Sequence, residues 1–242
     1  MASLLDTIPY RPVQTNITQT TVGNNQQQRN VSFKNKPTKT VKTAAITGSI
    51  ATTLAYLFLL AKHLKKGNFK ALDMFKLPFD NMFHVMGLAT SSVVGGLGAG
   101  LIFDKKENRL PKIKEAVHQF LGNIVCPITI VGIAGNAIKK RQFSKLKEGI
   151  LSFGAAIAGV VTGVVGGNNI ASKVNEKVFK EEDTRKLSIK DFGIHVDDLL
   201  TTAALTPVGK NLGIESFIPV ALPAIFLICG YEAGSKVKQP KQ

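Results

Sequence analysis

Six polar side chains in or beside the apolar stretches of this 242-residue chain could bind a ligand or carry a proton. They are His84, Asn123, Asn136, His195, Asp197 and Asp198. Histidine changes charge near neutral pH, and ionisable groups inside a membrane usually serve a function. Each residue type also has a structural interpretation, because histidine is common at the headgroup level and aspartate at helix starts. The set therefore predicts a polar pathway and leaves the structural interpretation open.

The chain carries none of the motifs of the common enzyme classes. It has no glycine-rich phosphate loop ending in Lys-Ser or Lys-Thr, no GxSxG, no HExxH and no paired cysteine motif. Cys126 and Cys229 both lie in hydrophobic segments without another residue at metal-ligand spacing, which favours two structural thiols. We therefore expect no enzymatic activity, no cofactor and no metal.

The chain contains four long stretches without a charged residue. They cover residues 43–61, 81–103, 116–138 and 149–172, which are 19, 23, 23 and 24 residues long. A helix of about 20 apolar residues crosses a bilayer, whereas a soluble helix shows a polar face to water. The sequence thus predicts an all-α, polytopic membrane helix bundle with four spans. A hydrophobic helical domain of a soluble protein is the alternative.

Two weaker apolar segments follow the four spans. Residues 199–209 are uncharged over only 11 positions, too few to span as a helix, and predict a re-entrant or interfacial fifth segment. Residues 216–231 are uncharged over 16 positions and contain Pro219 and Pro223, which predict a proline-broken sixth segment. This last segment is long enough to cross only if Glu215 and Glu232 lie at opposite interfaces.

Composition divides the chain into a tail and a bundle. Residues 1–40 are polar and rich in Asn, Gln and Thr, which predicts a disordered tail. The bundle is expected over residues 41–236 and a short tail over residues 237–242. The stretches DNMFHVMGLATS (80–91) and DFGIHVDDLLTT (191–202) share five residues, which suggests a weak 3+3 repeat of residues 41–140 and 147–236. Three spans per unit would invert the second unit, as in many transporters.

Glycines recur at helical spacing in two of the spans. Those expected to pack against neighbouring helices are Gly95, Gly96, Gly100, Gly159, Gly163 and Gly167. Small residues four apart allow helix backbones to touch in a membrane, where packing replaces the hydrophobic drive between helices. The ladder could join two copies of the chain or pack helices within one copy. Several such faces in a single chain favour packing within one copy.

The net charge of +15 comes from basic residues that lie outside the uncharged stretches, many of them close to the ends of the spans. If all six segments cross, twenty of the 31 Lys and Arg residues lie on the side of both termini and eleven on the other. The positive-inside rule then predicts a plasma or inner membrane protein with both termini in the cytoplasm. Nucleic acid is not an expected partner, because the basic residues flank spans and aromatic residues make up only 7% of the chain. The expected partners are the lipid bilayer and other membrane proteins or further copies of the chain.

Glycine-mediated packing without a convincing polar site favours a non-enzymatic membrane scaffold or assembly protein. The alternative is a small-solute or ion transporter or channel built from two inverted three-segment repeats. Polar side chains converging on a cavity would favour transport, whereas a closed interior would favour a scaffold. A membrane enzyme is the least supported of the three classes.

Overall fold

The chain is helical throughout the part that a computed structural model describes. The described residues are 36–65, 69–77, 79, 81–141, 143–182, 185, 187, 192 and 218–238, and they contain no β-strand. The α-helices are α1 Lys39–Lys65, α2 Met82–Phe103, α3 Arg109–Phe120, α4 Cys126–Lys139, α5 Lys145–Phe179 and α6 Ile218–Ser235. Short 3-10 turns cover Ala71–Phe75 and Lys106–Asn108, and a π-helical turn, Leu121–Val125, joins α3 to α4 without a break.

Four helices are long and apolar enough to cross a membrane. They are α1, α2, the continuous helix Lys106–Lys139 that contains α3 and α4, and Lys147–Phe179 within α5. Their lengths of 27, 22, 34 and 33 residues all exceed the roughly 20 that a bilayer requires. The prediction of an all-α bundle with four spans is confirmed, and the protein is a multi-pass integral membrane protein.

The sixth segment forms α6, an apolar helix of 18 residues that continues through Pro223. Pro219 lies in its first turn, where a helix does not need the missing N–H. The fifth segment, residues 199–209, lies outside the described residues, as do residues 1–35 and 239–242 and nearly all of the second repeat stretch. The tail, the fifth segment and the repeat therefore stay predictions.

The helices α1, α2 and α6 pack together around closely approaching backbones. Gly96 lies against Gly230 and Gly100 against Gly234, so α2 and α6 run in the same direction. Gly48 of α1 lies against Gly95 of α2, and the Thr52 hydroxyl donates to the Ser91 carbonyl oxygen at 2.6 Å. Hydrogen bonds of this kind stabilise membrane helix pairs in which small residues bring the backbones together.

The helices α4 and α5 form a second closely packed pair. They run in opposite directions, with Gly159 against Val131 and Gly167 against Leu121. The helix α5 ends at Phe179, and the next residue, Lys180, has a left-handed φ of 52° that stops the helix. The apolar core includes Leu57, Leu88, Ile124 and Phe226 from four different helical elements. The interior of the bundle is thus built from both halves of the chain.

One end of the bundle, which we call the network end, gathers the polar side chains. The end of α2, the start of α3, the end of α5 and the end of α6 meet there through ion pairs described below. Because α6 runs parallel to α2, its first residue, Ile218, lies at the opposite end, near the start of α2.

Candidate functional site

Three polar side chains form a ladder along one face of α3 and the π-helical turn. Glu115, Gln119 and Asn123 follow each other at four-residue spacing, and each is at most 3% exposed. The Gln119 side-chain amide donates to Glu115 Oε1 at 2.9 Å, and the Asn123 side-chain amide donates to Gln119 Oε1 at 2.8 Å. Since a carboxylate can only accept, the ladder has a fixed direction. Its last atom, Asn123 Oδ1, is therefore an acceptor.

Asn123 Oδ1 has no hydrogen-bond partner among the described residues, although Asn123 is completely buried. A second acceptor lies nearby, because Pro127 has no N–H to give to the preceding turn. The carbonyl of Gly122 or Asn123 consequently loses its helical donor. The π-helical turn Leu121–Val125 ends two residues before this proline and accommodates the ring that would clash in a regular α-helix.

Glu115 is the centre of the charge pairing. Its carboxylate oxygens lie 2.7 Å from Lys236 Nζ and 3.2 Å from Arg185 Nη2. Arg185 follows α5 and Lys236 follows α6, so one carboxylate holds three parts of the chain together. Charge-assisted hydrogen bonds of this type are stronger than neutral ones, and they satisfy a charge that burial would otherwise destabilise.

Asn168 of α5 extends the network to His118. The Asn168 amide donates to the Val164 carbonyl oxygen at 2.8 Å, which leaves Asn168 Oδ1 facing the network as an acceptor. This oxygen accepts from Arg185 Nη1 at 2.7 Å and lies 2.9 Å from His118 Nδ1. An acceptor opposite Nδ1 assigns the hydrogen to that nitrogen when His118 is neutral. His118 is therefore buried as a hydrogen-bonded member of the network.

Lys112 binds the backbone at the C-terminal end of α6. Its ammonium is fully buried and donates to the carbonyl oxygens of Gly234 and Lys236, both at 2.7 Å. These carbonyls belong to the last helical turn and its exit, where backbone acceptors have no helical donor. The ammonium also lies 2.8 Å from Asp104 Oδ2. This contact is an ion pair, because its angles are not those of a hydrogen bond.

Asp104 lies between α2 and α3, outside the membrane-spanning segments. Burial alone would raise the pKa of its carboxyl group. The contacts from Lys112, the Asn108 side chain and the Lys105 backbone N–H outweigh burial and hold this pKa below its usual value. Asp104 is thus held in its charged form beside the buried ammonium.

The structure describes three of the six residues of the predicted polar pathway, and their surroundings differ. Asn123 lies in the buried ladder, His84 lies in the first turn of α2, where its carbonyl oxygen accepts from Tyr56, and Asn136 is exposed near the end of α4. His195, Asp197 and Asp198 lie outside the described residues.

The six glycines named from the sequence all lie against other helices of the same chain. Gly95, Gly96 and Gly100 of α2 face Gly48, Gly230 and Gly234. Gly159, Gly163 and Gly167 of α5 face Val131, Pro127 and Leu121. A methyl group added to Gly163 would lie 2.5 Å from Pro127 Cα, well inside van der Waals contact. The α5 glycines therefore allow that helix to approach the π-helical turn and the proline.

Most of the network was missed by reasoning from the sequence. Of its members, only Asn123 was among the predicted site residues, whereas Lys112, Glu115, His118, Asn168, Arg185 and Lys236 were not. The four-residue spacing of Glu115, Gln119 and Asn123 was a usable signal, because it places three polar side chains on one face of a helix. The partners from α5 and α6 have no such local signal.

No protein-family model, curated protein or solved structure matches this chain. The part of the chain that the structure describes holds no group of three or more His, Cys, Asp or Glu side chains arranged to bind a metal ion. What the site can do must therefore be inferred from its own geometry.

Proposed function

We propose that this integral membrane protein is a non-enzymatic scaffold or assembly protein. The observation that carries the proposal is the pairing of Glu115, the acidic centre of the network. Its carboxylate accepts hydrogen bonds from Arg185, Lys236 and Gln119 while only 3% of the residue is exposed. A carboxylate engaged in this way holds helices together and is poorly placed to bind and release a transported ion.

The outer surface supports the same proposal. Large apolar side chains at four-residue spacing form an exposed face on α1, namely Ile46, Ile50, Leu54 and Phe58. Ile157, Val161 and Val165 form a similar face on α5. Such faces suit lipid and the apolar spans of other membrane proteins. An interior held together by paired charges and surrounded by apolar outer helices suits a membrane scaffold.

Two measurements on the full-length protein test this proposal. In proteoliposomes, the flux of protons, potassium and chloride should equal that of empty vesicles. A photo-crosslinker placed at Val161 should yield discrete products with other membrane proteins in native membranes. The matched control places the same crosslinker at Ala156, which is 1% exposed and should yield none. Solute flux well above that of empty vesicles, without discrete crosslinked products, would contradict the scaffold proposal.

A transporter or channel is the second candidate, and one observation favours it. Asn123 Oδ1 is a buried hydrogen-bond acceptor without a donor among the described residues, one turn before a proline that interrupts the helical hydrogen bonds of an apolar span. Discontinuous helices with free carbonyls form substrate and ion sites in many transporters. If transport is the function, an Asn123→Leu variant should abolish flux while it remains folded. Flux equal to that of empty vesicles for the unmodified protein would exclude this candidate for the ions tested.

We also propose that the network end faces the cytoplasm of a plasma or inner membrane. The start of α1 and the end of α6 both lie at the network end, which supports a common side for the two termini. The connections at this end also hold the larger share of the basic residues. The positive-inside rule then favours the cytoplasm for this side.

A further inference from the structure

An open groove runs along the outer surface between α1 and α2, on the half of these helices nearest the network end. Its volume is about 680 Å³. The lining includes Lys39, Thr43, Thr47, Ala51, Ala99 and Phe103. The threonines and alanines of this lining are small, and α1 approaches α2 closely at Gly48, which leaves a depression on a surface that otherwise projects large apolar side chains. The groove therefore differs from the rest of the lipid-facing surface in shape.

The length of the groove corresponds to one leaflet of a bilayer. From Lys39 to Ala51 the α1 backbone rises about 18 Å, at about 1.5 Å per residue. Half of a hydrocarbon core about 30 Å thick is about 15 Å. The groove thus begins at the headgroup level and ends near the middle of the membrane.

The charge of the groove lies at its headgroup end. Among the described residues that line it, Lys39 alone is charged. Lys36 and Lys42 are exposed on either side of it in sequence, and α1 begins at Lys39. A helix start carries partial positive charge and unpaired N–H groups that favour a phosphate. An apolar groove with a cationic mouth is complementary to an anionic lipid.

We propose that this groove binds one acyl chain of an anionic phospholipid whose phosphate pairs with Lys39. The lipid belongs to the leaflet at the network end, and its chain covers the small residues as far as Ala51. This site is separate from the buried network and does not depend on whether the protein is a scaffold or a transporter.

Native mass spectrometry of the full-length protein in detergent tests the proposal, with dioleoyl-phosphatidylglycerol and dioleoyl-phosphatidylcholine as the two probes. We expect one phosphatidylglycerol molecule to be retained in preference to phosphatidylcholine. Lys39→Gln should weaken this retention about fivefold, the usual contribution of one lysine beside an anionic membrane surface. The matched control is Lys62→Gln, at the other end of α1, which should leave retention unchanged.

A second pair of variants tests the groove itself. Ala51→Phe should fill the inner part of the groove and lower retention of the lipid. Ile50→Phe adds an aromatic ring on the neighbouring exposed face of α1 and should have no effect. Equal retention of the two lipids, or retention unaffected by Lys39→Gln, would overturn the proposal. A dimer that Ala51→Phe dissociates would also overturn it, because a second copy would then occupy the groove.

Discussion

Glu115 connects residues that are far apart in sequence. Its contribution to the stability of the fold depends on how well the cations paired with it would be solvated if the carboxylate were removed. Arg185 and Lys236 both point their charges at this one carboxylate. Arg185 is largely buried, with its side chain 13% exposed, whereas that of Lys236 is 40% exposed. Removing Glu115 therefore leaves one poorly solvated cation, and such a charge destabilises a fold far more than an exposed one.

We expect Glu115→Gln to lower the free energy of unfolding by about 3–5 kcal/mol, the range for breaking a buried ion pair on one side. Thermal unfolding in detergent would measure the loss. The control is Glu181→Gln, which removes an ion pair between Lys114 and a carboxylate that is 60% exposed. That change should cost less than about 1 kcal/mol. Equal losses for the two variants would show that the Glu115 pairing does not hold the network end together.

The pH dependence of Asp104 is a second test of a single residue. Its folded pKa is held below its unfolded value. Asp104 therefore stabilises the fold fully above the unfolded pKa, and this contribution disappears as the pH falls through the lower folded pKa. We expect the difference in melting temperature between wild type and Asp104→Asn to be largest near neutral pH and to shrink below about pH 4. A difference that does not change with pH would contradict this assignment.

At the scale of elements, the contact between α4 and α5 depends on a glycine that faces a proline. Gly163→Leu should force α5 away from Pro127, because a large side chain in a close-packed contact costs about 1–3 kcal/mol or more. On a lipid-facing surface the same change would be mildly favourable, since glycine is a poor helix former. The two possibilities predict opposite signs of the change in stability.

Thermal stability in detergent distinguishes them, with Val161→Leu in the same helix as the control. Val161 is 48% exposed and faces outward, so its enlargement should change little. A Gly163→Leu protein as stable as the Val161→Leu protein would show that this face of α5 does not pack against α4.

The elements differ in how well the sequence predicts them. The four spans were predictable because an uncharged stretch of about 20 residues has few other stable states. Only the uncharged part of the continuous helix from Lys106 to Lys139 was predictable. The charged first third has the composition of a connection between spans. The pairing of Glu115 with Lys236 was not predictable, because residues 121 apart in sequence meet only once α6 has packed against α2. Local patterns hold no information about such a contact.

At the scale of the whole molecule, the arrangement of helices predicts which connections share a side of the membrane. In a background with Cys126 and Cys229 replaced by Ala, single cysteines at Lys105 and Lys238 should react with an impermeant maleimide from one side. Counted from the start of α1, Lys105 follows two spans, whereas Lys70 follows one and Lys140 follows three. Cysteines at Lys70 and Lys140 should therefore react from the other side. All four positions are exposed. Labelling of Lys105 and Lys238 from opposite sides would contradict the orientation of α6.

The position of α6 also has a consequence for biosynthesis. This helix leaves the ribosome after α1 to α5, yet it covers Gly96 and Gly100 and supplies the carbonyl groups that Lys112 binds. Until α6 arrives, a nascent chain in the membrane carries an open backbone groove on α2 and a lysine ammonium without those partners. Incompletely folded chains are removed by chaperones and proteases, so we expect a chain that stops before Ile218 to be inserted and then degraded. A pulse-chase experiment should show a shorter lifetime for this truncated chain than for the full-length protein, and equal lifetimes would contradict the expectation.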